Sequence, residues 1–312
     1  MTISGSYDFS MTRDQVITAA VRLLGIMDQQ KPFPDAIVRH NRSLNMMLKS
    51  WQLQGVGLWL MRELTLFPAH ETARYATGAS GTHITLSPVE TTLSADALSG
   101  ALTISVTSAT GIVNNAFIGI ELDDGTRQWT TVNGSPSGTT VTLAAALTDS
   151  ASEDATVKVY VSKAQRPTRI LEARWKQGNN EIPIQLRDRQ DYMIMTNKAT
   201  TGMPVMFYYD PQLTTGYINL WPAPDTVNAT IPMTAAYPIS DMDSSSDDFE
   251  LPVEWYNAIT YNLAMAIMGE YATEVSSELK AEVKERAILE FRIARNFDTP
   301  SSVFFVPVSS DY

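Results

Sequence analysis

Apolar side chains recur every three or four residues near both ends of this chain and every second residue through its middle. After Thr12, the residues Val16, Ala19, Ala20, Leu23 and Leu24 fall on one face of a helix. A capping box opens it, with Thr12 and Gln15 each able to satisfy the other's backbone N–H, and Gly25 supplies the left-handed stop. A second helix is predicted from Pro34, a residue suited to a first helical position. It carries Ile37, Leu44, Leu48 and Trp51 on one side and ends at Gly55. The two predict an antiparallel pair, and core packing accounts for both stripes.

From about residue 83 the period becomes alternating. Leu102, Ile104 and Val106 alternate with Thr and Ser, and Ile118, Ile120 and Leu122 follow. Val141 with Leu143, then Val157, Val159 and Val161, repeat the pattern, and turn residues such as Asp123-Asp124-Gly125 and Asn133-Gly134 separate the runs. Residues 83–165 therefore predict a compact antiparallel β domain, sandwich or small barrel. In residues 166–251 two hairpins are expected, one turning at Gln177 to Asn180 and one at Asp210 to Gly216, with Pro222-Ala223-Pro224 ending the second. Asp188 to Met195 between them reads as a short helix.

Helical spacing returns at Pro252, where Tyr256, Ile259, Leu263 and Ile267 make one stripe with Trp255 beside it. A last helix from about Ser276 to Arg295 places Leu279, Val283, Ala287 and Phe291 at four-residue steps, with Glu282 and Arg286 in pairing distance on its surface. The expected class is α+β. Residues 1–82 and 252–296 form a discontinuous helical bundle around the β domain of 83–165 and the hairpin region of 166–251. Residues 297–312 read as an extended tail whose apolar run, Val303, Phe304, Phe305, Val306, Pro307 and Val308, followed by Tyr312, needs a surface to cover it.

Composition narrows the chemistry. With 312 residues and 44% hydrophobic content the chain is long enough to bury one large core or several modest ones. No apolar run is long enough to span a bilayer, and the first residues lack the charge and apolar stretch of a secretory signal. The chain is thus expected to stay where it is made unless a partner carries it out. The absence of cysteine removes disulfides, thiolate metal sites and cysteine nucleophiles. A net charge of -11 argues against a broad phosphate-neutralising surface, so DNA is expected to slide past it.

Candidate catalytic chemistry is sparse. His40, His70 and His83 lack metal-ligand spacing and read as surface or helix-side residues. Phosphate-binding and nucleophile-elbow motifs are missing; the nearest imitation, Gly134-Ser135-Pro136-Ser137-Gly138, has proline where the serine belongs. The acidic run Asp241, Asp243, Asp247, Asp248 and Glu250 reads as a solvated loop, since a calcium loop would need glycine where Asp248 stands. No catalytic residue, metal site or cofactor is assigned, and the chain is expected not to be an enzyme.

The two helical blocks carry a further signal in Leu23-Leu24-Gly25, Leu44-Asn45 with Leu48 and Trp51, Gly55 with Leu58-Trp59, and Leu251-Pro252 with Trp255, Ala258 and Asn262-Leu263-Ala264. In these residues, over about a third of the chain, the sequence resembles the head-to-tail adaptor proteins of short-tailed bacteriophages, the tail tubular A and packaged-DNA stabilisation type. The resemblance implies a structural virion protein at the portal vertex, assembled in the host cytoplasm. It implies a homo-oligomeric ring, typically dodecameric, that binds the portal protein above and tail nozzle or tail fibre proteins below. Packaged DNA would pass through the channel without sequence-specific binding, and no membrane is involved. Carried onto this chain, Leu23, Leu24, Leu44, Leu48, Trp51, Trp255, Ile259 and Leu263 become the helical core of the ring body, and Val303, Phe304, Phe305, Val306, Val308 and Tyr312 the portal-binding tail. The large β portion departs from the smallest, nearly all-helical members and leaves the role of residues 83–165 open. A second reading therefore stands, a tail component that binds host glycan or receptor through this β domain. A tail-associated hydrolase is a third.

Overall fold

The structure, a computed structural model, describes residues 8–26, 34–54, 60–79 and 81–297. The chain divides into two compact units, Met1–Leu60 with Pro238–Tyr312, and Met61–Tyr237. Among the described residues there are five α-helices: α1 (Arg13–Leu23), α2 (Pro34–Leu53), α3 (Arg189–Met193), α4 (Tyr256–Ile267) and α5 (Ser277–Phe297). All but α3 belong to the first unit.

In that unit the capping residue Gln15 accepts the Thr12 backbone N–H at 3.0 Å. Gly25, at φ 74°, closes α1 with its N–H on the Arg22 carbonyl at 3.0 Å. Such a positive φ is open to glycine at little steric cost, which is why the helix stops there. One core joins α1 and α2 to α4 and α5: Val16, Ile17, Leu24, Leu44, Leu48, Trp51, Trp255, Ile259, Leu263 and Val283 share it. The surface pair differs from the expected one, because Arg286 reaches forward to Glu290 at 3.7 Å and not back to Glu282.

The second unit is built from sheets. Strands β1 (Met61–Leu66), β2 (Arg74–Ala76) and β3 (Ile84–Thr85) precede a smaller β region that runs from β4 (Val89–Thr92) to β9 (Thr156–Tyr160). Within that region β4 and β9 combine with β6 (Phe117–Glu121) and β7 (Arg127–Thr131) in the order β4-β9-β6-β7, while β5 (Thr103–Ser105) pairs with β8 (Thr140–Thr142). Ile104, Val106, Ile118, Ile120, Val141, Val157 and Val159 fill its core. Leu102 and Val161, counted on the alternating face, lie outside it and are exposed.

After this region come β10 (Arg169–Gln177), β11 (Asn180–Leu186), β12 (Met206–Pro211), β13 (Gly216–Trp221) and β14 (Ile231–Ala236). They complete an eight-stranded sheet in the order β2-β13-β12-β11-β10-β14-β1-β3. The join between β11 and β12 is parallel and two residue pairs long. Entry and exit strands are neighbours: β1 and β14 pair antiparallel from Met61 opposite Ala236 to Leu66 opposite Ile231. That register holds the two points where the chain enters and leaves the sheet side by side, so helices from opposite ends of the sequence can share one core.

The expectation of a helical bundle carrying an inserted β domain and a separate hairpin region is overturned. The protein is mostly β, and its largest sheet draws strands from both sides of the supposed insertion. Residues 61–76, assigned to the helical part, supply β1 and β2, and β14 was not recognised. The physical reason is burial. Alternation marks a strand with one wet face, whereas Ile231, Pro232, Met233, Ala235 and Ala236 of β14 are all buried and only Thr234 is not. Pro232 is tolerated there because β10 pairs with β14 only up to Met233, and its next bridge is at Thr230.

Candidate functional site

The residues that carry the family resemblance come together. Leu24, Leu44, Leu48, Trp51, Leu251, Trp255, Ala258, Ile259, Leu263 and Ala264 are buried in a single cluster, with Leu23 partly buried against it. Its centre is aromatic: the rings of Trp51 and Trp255 lie 5.6 Å apart, and Phe291 stands 4.9 Å from Trp51. Asn45 and Asn262 supply the polar fastening. Asn45 accepts the Met242 N–H at 2.9 Å, and buried Asn262 donates to the carbonyls of Ala258 and Ala287, each at 2.9 Å, tying α4 to α5. The acidic run also turns inward on the backbone: the Asp247 carboxylate accepts N–H groups of Asp243 and Ser244 at 2.8 and 2.6 Å. Both bonds fall on Oδ2, which caps the turn.

Val38, Met46 and Leu53 on α2, and Ile288, Leu289 and Ile293 on α5, are exposed. Val38, Met46 and Leu53 line one hollow along α2. Gly55, Leu58, Trp59 and the tail residues Val303, Phe304, Phe305, Val306, Val308 and Tyr312 lie outside the described residues.

The β unit presents a different surface, a polar groove of about 440 Å3. Hydroxyls of Thr91, Thr92, Thr107 and Ser108 line one part of it, and Lys158, Lys176, Asn228 and Thr230 another. Lys158 is nearly buried, and its ammonium pairs with Glu90 at 2.9 Å. Burial lowers its pKa despite Glu90, which pulls the other way. Beside it Arg127 is held by the Val227 carbonyl and by Thr156, whose hydroxyl donates to Glu121 at 2.6 Å. Burial takes the Arg127 pKa down to about 10, and its Nε and Nη1 have no hydrogen-bond partner. Paired charges and many hydroxyls give this groove donors and acceptors with little net charge, the chemistry a polyhydroxylated ligand needs. Sequence reasoning missed it because Lys158 sits between two valines in a strand and reads as a solvent-facing residue.

Of the histidines read as surface or helix-side residues, His40 is fully buried and His83 half-buried. The His40 Nε2 lies 3.2 Å from the Tyr271 hydroxyl and 3.6 Å from Glu270. Burial lowers its pKa, opposed by Glu270. His83 stacks on Trp129 with centroids 3.8 Å apart and planes at 4°, and its Nδ1 is 2.7 Å from the Tyr160 hydroxyl. Burial first, then Lys163 and Arg127, push the His83 pKa down to about 4. His70 is exposed. Among the described residues no group of three His, Asp or Glu side chains is arranged to hold a metal ion. Nor is any described helix long and apolar enough to cross a membrane.

No family profile matches this chain, and no curated protein matches it. Among solved structures, one similarity is to the Gp54 tailspike of Acinetobacter baumannii bacteriophage AP22 in complex with A. baumannii capsular saccharide, at 22% identity and a TM-score of 0.21. It covers 24% of this chain and 15% of the tailspike, so the chain spans only a small part of that protein's length. An overlap this slight carries no argument about fold or activity.

Proposed function

We propose that this chain is a structural, non-enzymatic virion protein: an adaptor subunit that assembles into a ring between the portal and the tail nozzle or fibres, with packaged DNA passing through. One observation carries the reading. The residues behind the resemblance come from opposite ends of the sequence, yet Leu24, Leu44, Leu48, Trp51, Trp255 and Leu263 share one core. The exposed apolar side chains Ile288, Leu289 and Ile293 of α5 add a surface a ring subunit could offer its neighbours. In this reading the apolar run of residues 303–308 engages the portal. Removal of residues 300–312 should leave a folded protein that no longer co-sediments with purified portal rings. Unchanged association would take the tail out of the account, and failure of the full chain to associate would end the reading.

The polar groove favours a second reading, a tail component whose β unit binds host glycan or receptor. The full chain on a glycan array, beside an Asn228→Ala variant, separates the two: specific binding lost in the variant supports recognition by this groove, and no binding removes it.

A further inference from the structure

The groove between α2 and the pair α4 and α5 combines methionine and aromatic side chains with Ser43, Ser50, Gln54 and Asn262. Met46, Met47, Trp51, Met265 and Phe291 line a hollow of about 500 Å3. It shares Met46 and Ser50 with a second hollow of about 590 Å3 that runs along α2 past Val38, Arg42 and Leu53. Leu53 is 90% exposed and Met46 68%, so a chain laid over them would remove apolar surface from water. Methionines are unbranched and polarisable, and adapt to whatever apolar surface is laid on them.

We propose that this groove seats residues 303–308 of the same chain. The run Val-Phe-Phe-Val-Pro-Val is apolar at every position, so an extended strand of it has no face suited to water. Reach favours the chain's own tail over a second copy. Phe291 lines the hollow and stands six residues before the end of α5 at Phe297, about 9 Å along the helix. The five residues between Phe297 and Val303 extend to about 17 Å, enough to turn back to it. Lengths also agree: six extended residues cover about 20 Å, and α2 from Val38 to Leu53 offers about 22 Å. Beyond the run comes Asp311, and the second hollow contributes Arg42. The inference concerns the isolated chain and stands whether or not a portal is the eventual partner; if it is, the groove covers the run until the portal takes it.

The chain has no cysteine, so a M46C/F305C variant carries a single thiol pair. Mild oxidation of the full-length variant at low concentration should give mainly an intramolecular disulfide, with monomer mass and altered non-reducing mobility. An E285C/F305C control, with its first thiol on an exposed turn of α5 outside both hollows, should give little. Adding F304D and V306D to the M46C/F305C variant should cut the cross-link yield about tenfold, as expected for loss of a few apolar contacts. Cross-linked dimers without the intramolecular product would make the occupant a second copy and overturn the proposal. Equal yield in the control, or a yield indifferent to the two aspartates, would overturn it as well.

Discussion

Trp255 meets Trp51 from the opposite end of the sequence, with Phe291 closing the cluster, whereas Leu93, Ile118, Val141 and Val159 of the small β region fill a core from one continuous stretch. That β core contains no aromatic residue, and its bulk is spread over many medium-sized aliphatic side chains. The helical core concentrates bulk in a few rings that join distant segments. Large buried rings carry much apolar area each, so the helical unit depends on single residues and on long-range closure. The β region distributes the same task.

The sharpest way to break this contrast is Trp255→Ala. Trp255 is fully buried against Trp51, so its loss should cost about 3 to 5 kcal/mol of the helical unit's stability, read as a fall in the melting of the helical circular dichroism signal. A change below about 1 kcal/mol would mean the two ends do not depend on one another.

Gly119→Ala tests the β side. A Cβ there would stand 2.8 Å from Arg127 Cδ and from the Trp129 ring, which both lie across the glycine. Overpacking of this kind should cost about 1 to 3 kcal/mol, confined to the β unit. A matching loss in the helical unit would erase the distinction.

Acid should act on both units in the same direction. The His83 pKa is about 4 in the folded chain against 6.5 for an ordinary histidine, so between those values the unfolded chain holds a proton that the folded one does not. Stability from keeping His83 neutral is complete above about pH 6.5 and drains as pH falls towards about 4. Allowing for partial solvent access, the loss is about 1 to 2 kcal/mol, and His83→Gln should flatten that part of the β unit's pH profile in urea unfolding. An unchanged profile would show that the stack on Trp129 tolerates the charged ring. His40 shifts in the same direction by burial, so the helical unit should weaken with acid too.

Helices were legible because each keeps one wet face. The stripes at Leu44, Leu48 and Trp51, and at Ile259, Leu263 and Ile267, face the core, and Gly25 stops α1 through its positive φ. Strands β5, β6, β8 and β9 were legible through alternation or turn residues. Strands β1, β2 and β14 were not, since β14 is paired on both edges and buried nearly throughout, leaving no polar–apolar rhythm. The polar groove was equally hidden: Glu90, Lys158, Lys176 and Asn228 are far apart in sequence and lie in runs that look like ordinary solvated strands and turns. Buried Lys158 depends on Glu90, and a sequence does not show an ion pair between strands until register is known.

By itself the sequence determined local periodicity, helix caps and turns, the lack of cysteine, and an acidic net charge. Only the tertiary structure decided that one eight-stranded sheet dominates, that β1 and β14 pair so the two ends of the chain can share a core, and that His40 and Lys158 lie inside. The reason is physical. A cap or a stripe is written by residues within a few positions of one another, whereas strand order, burial of a charge and the contact of two distant indoles depend on contacts that exist only after long loops have closed.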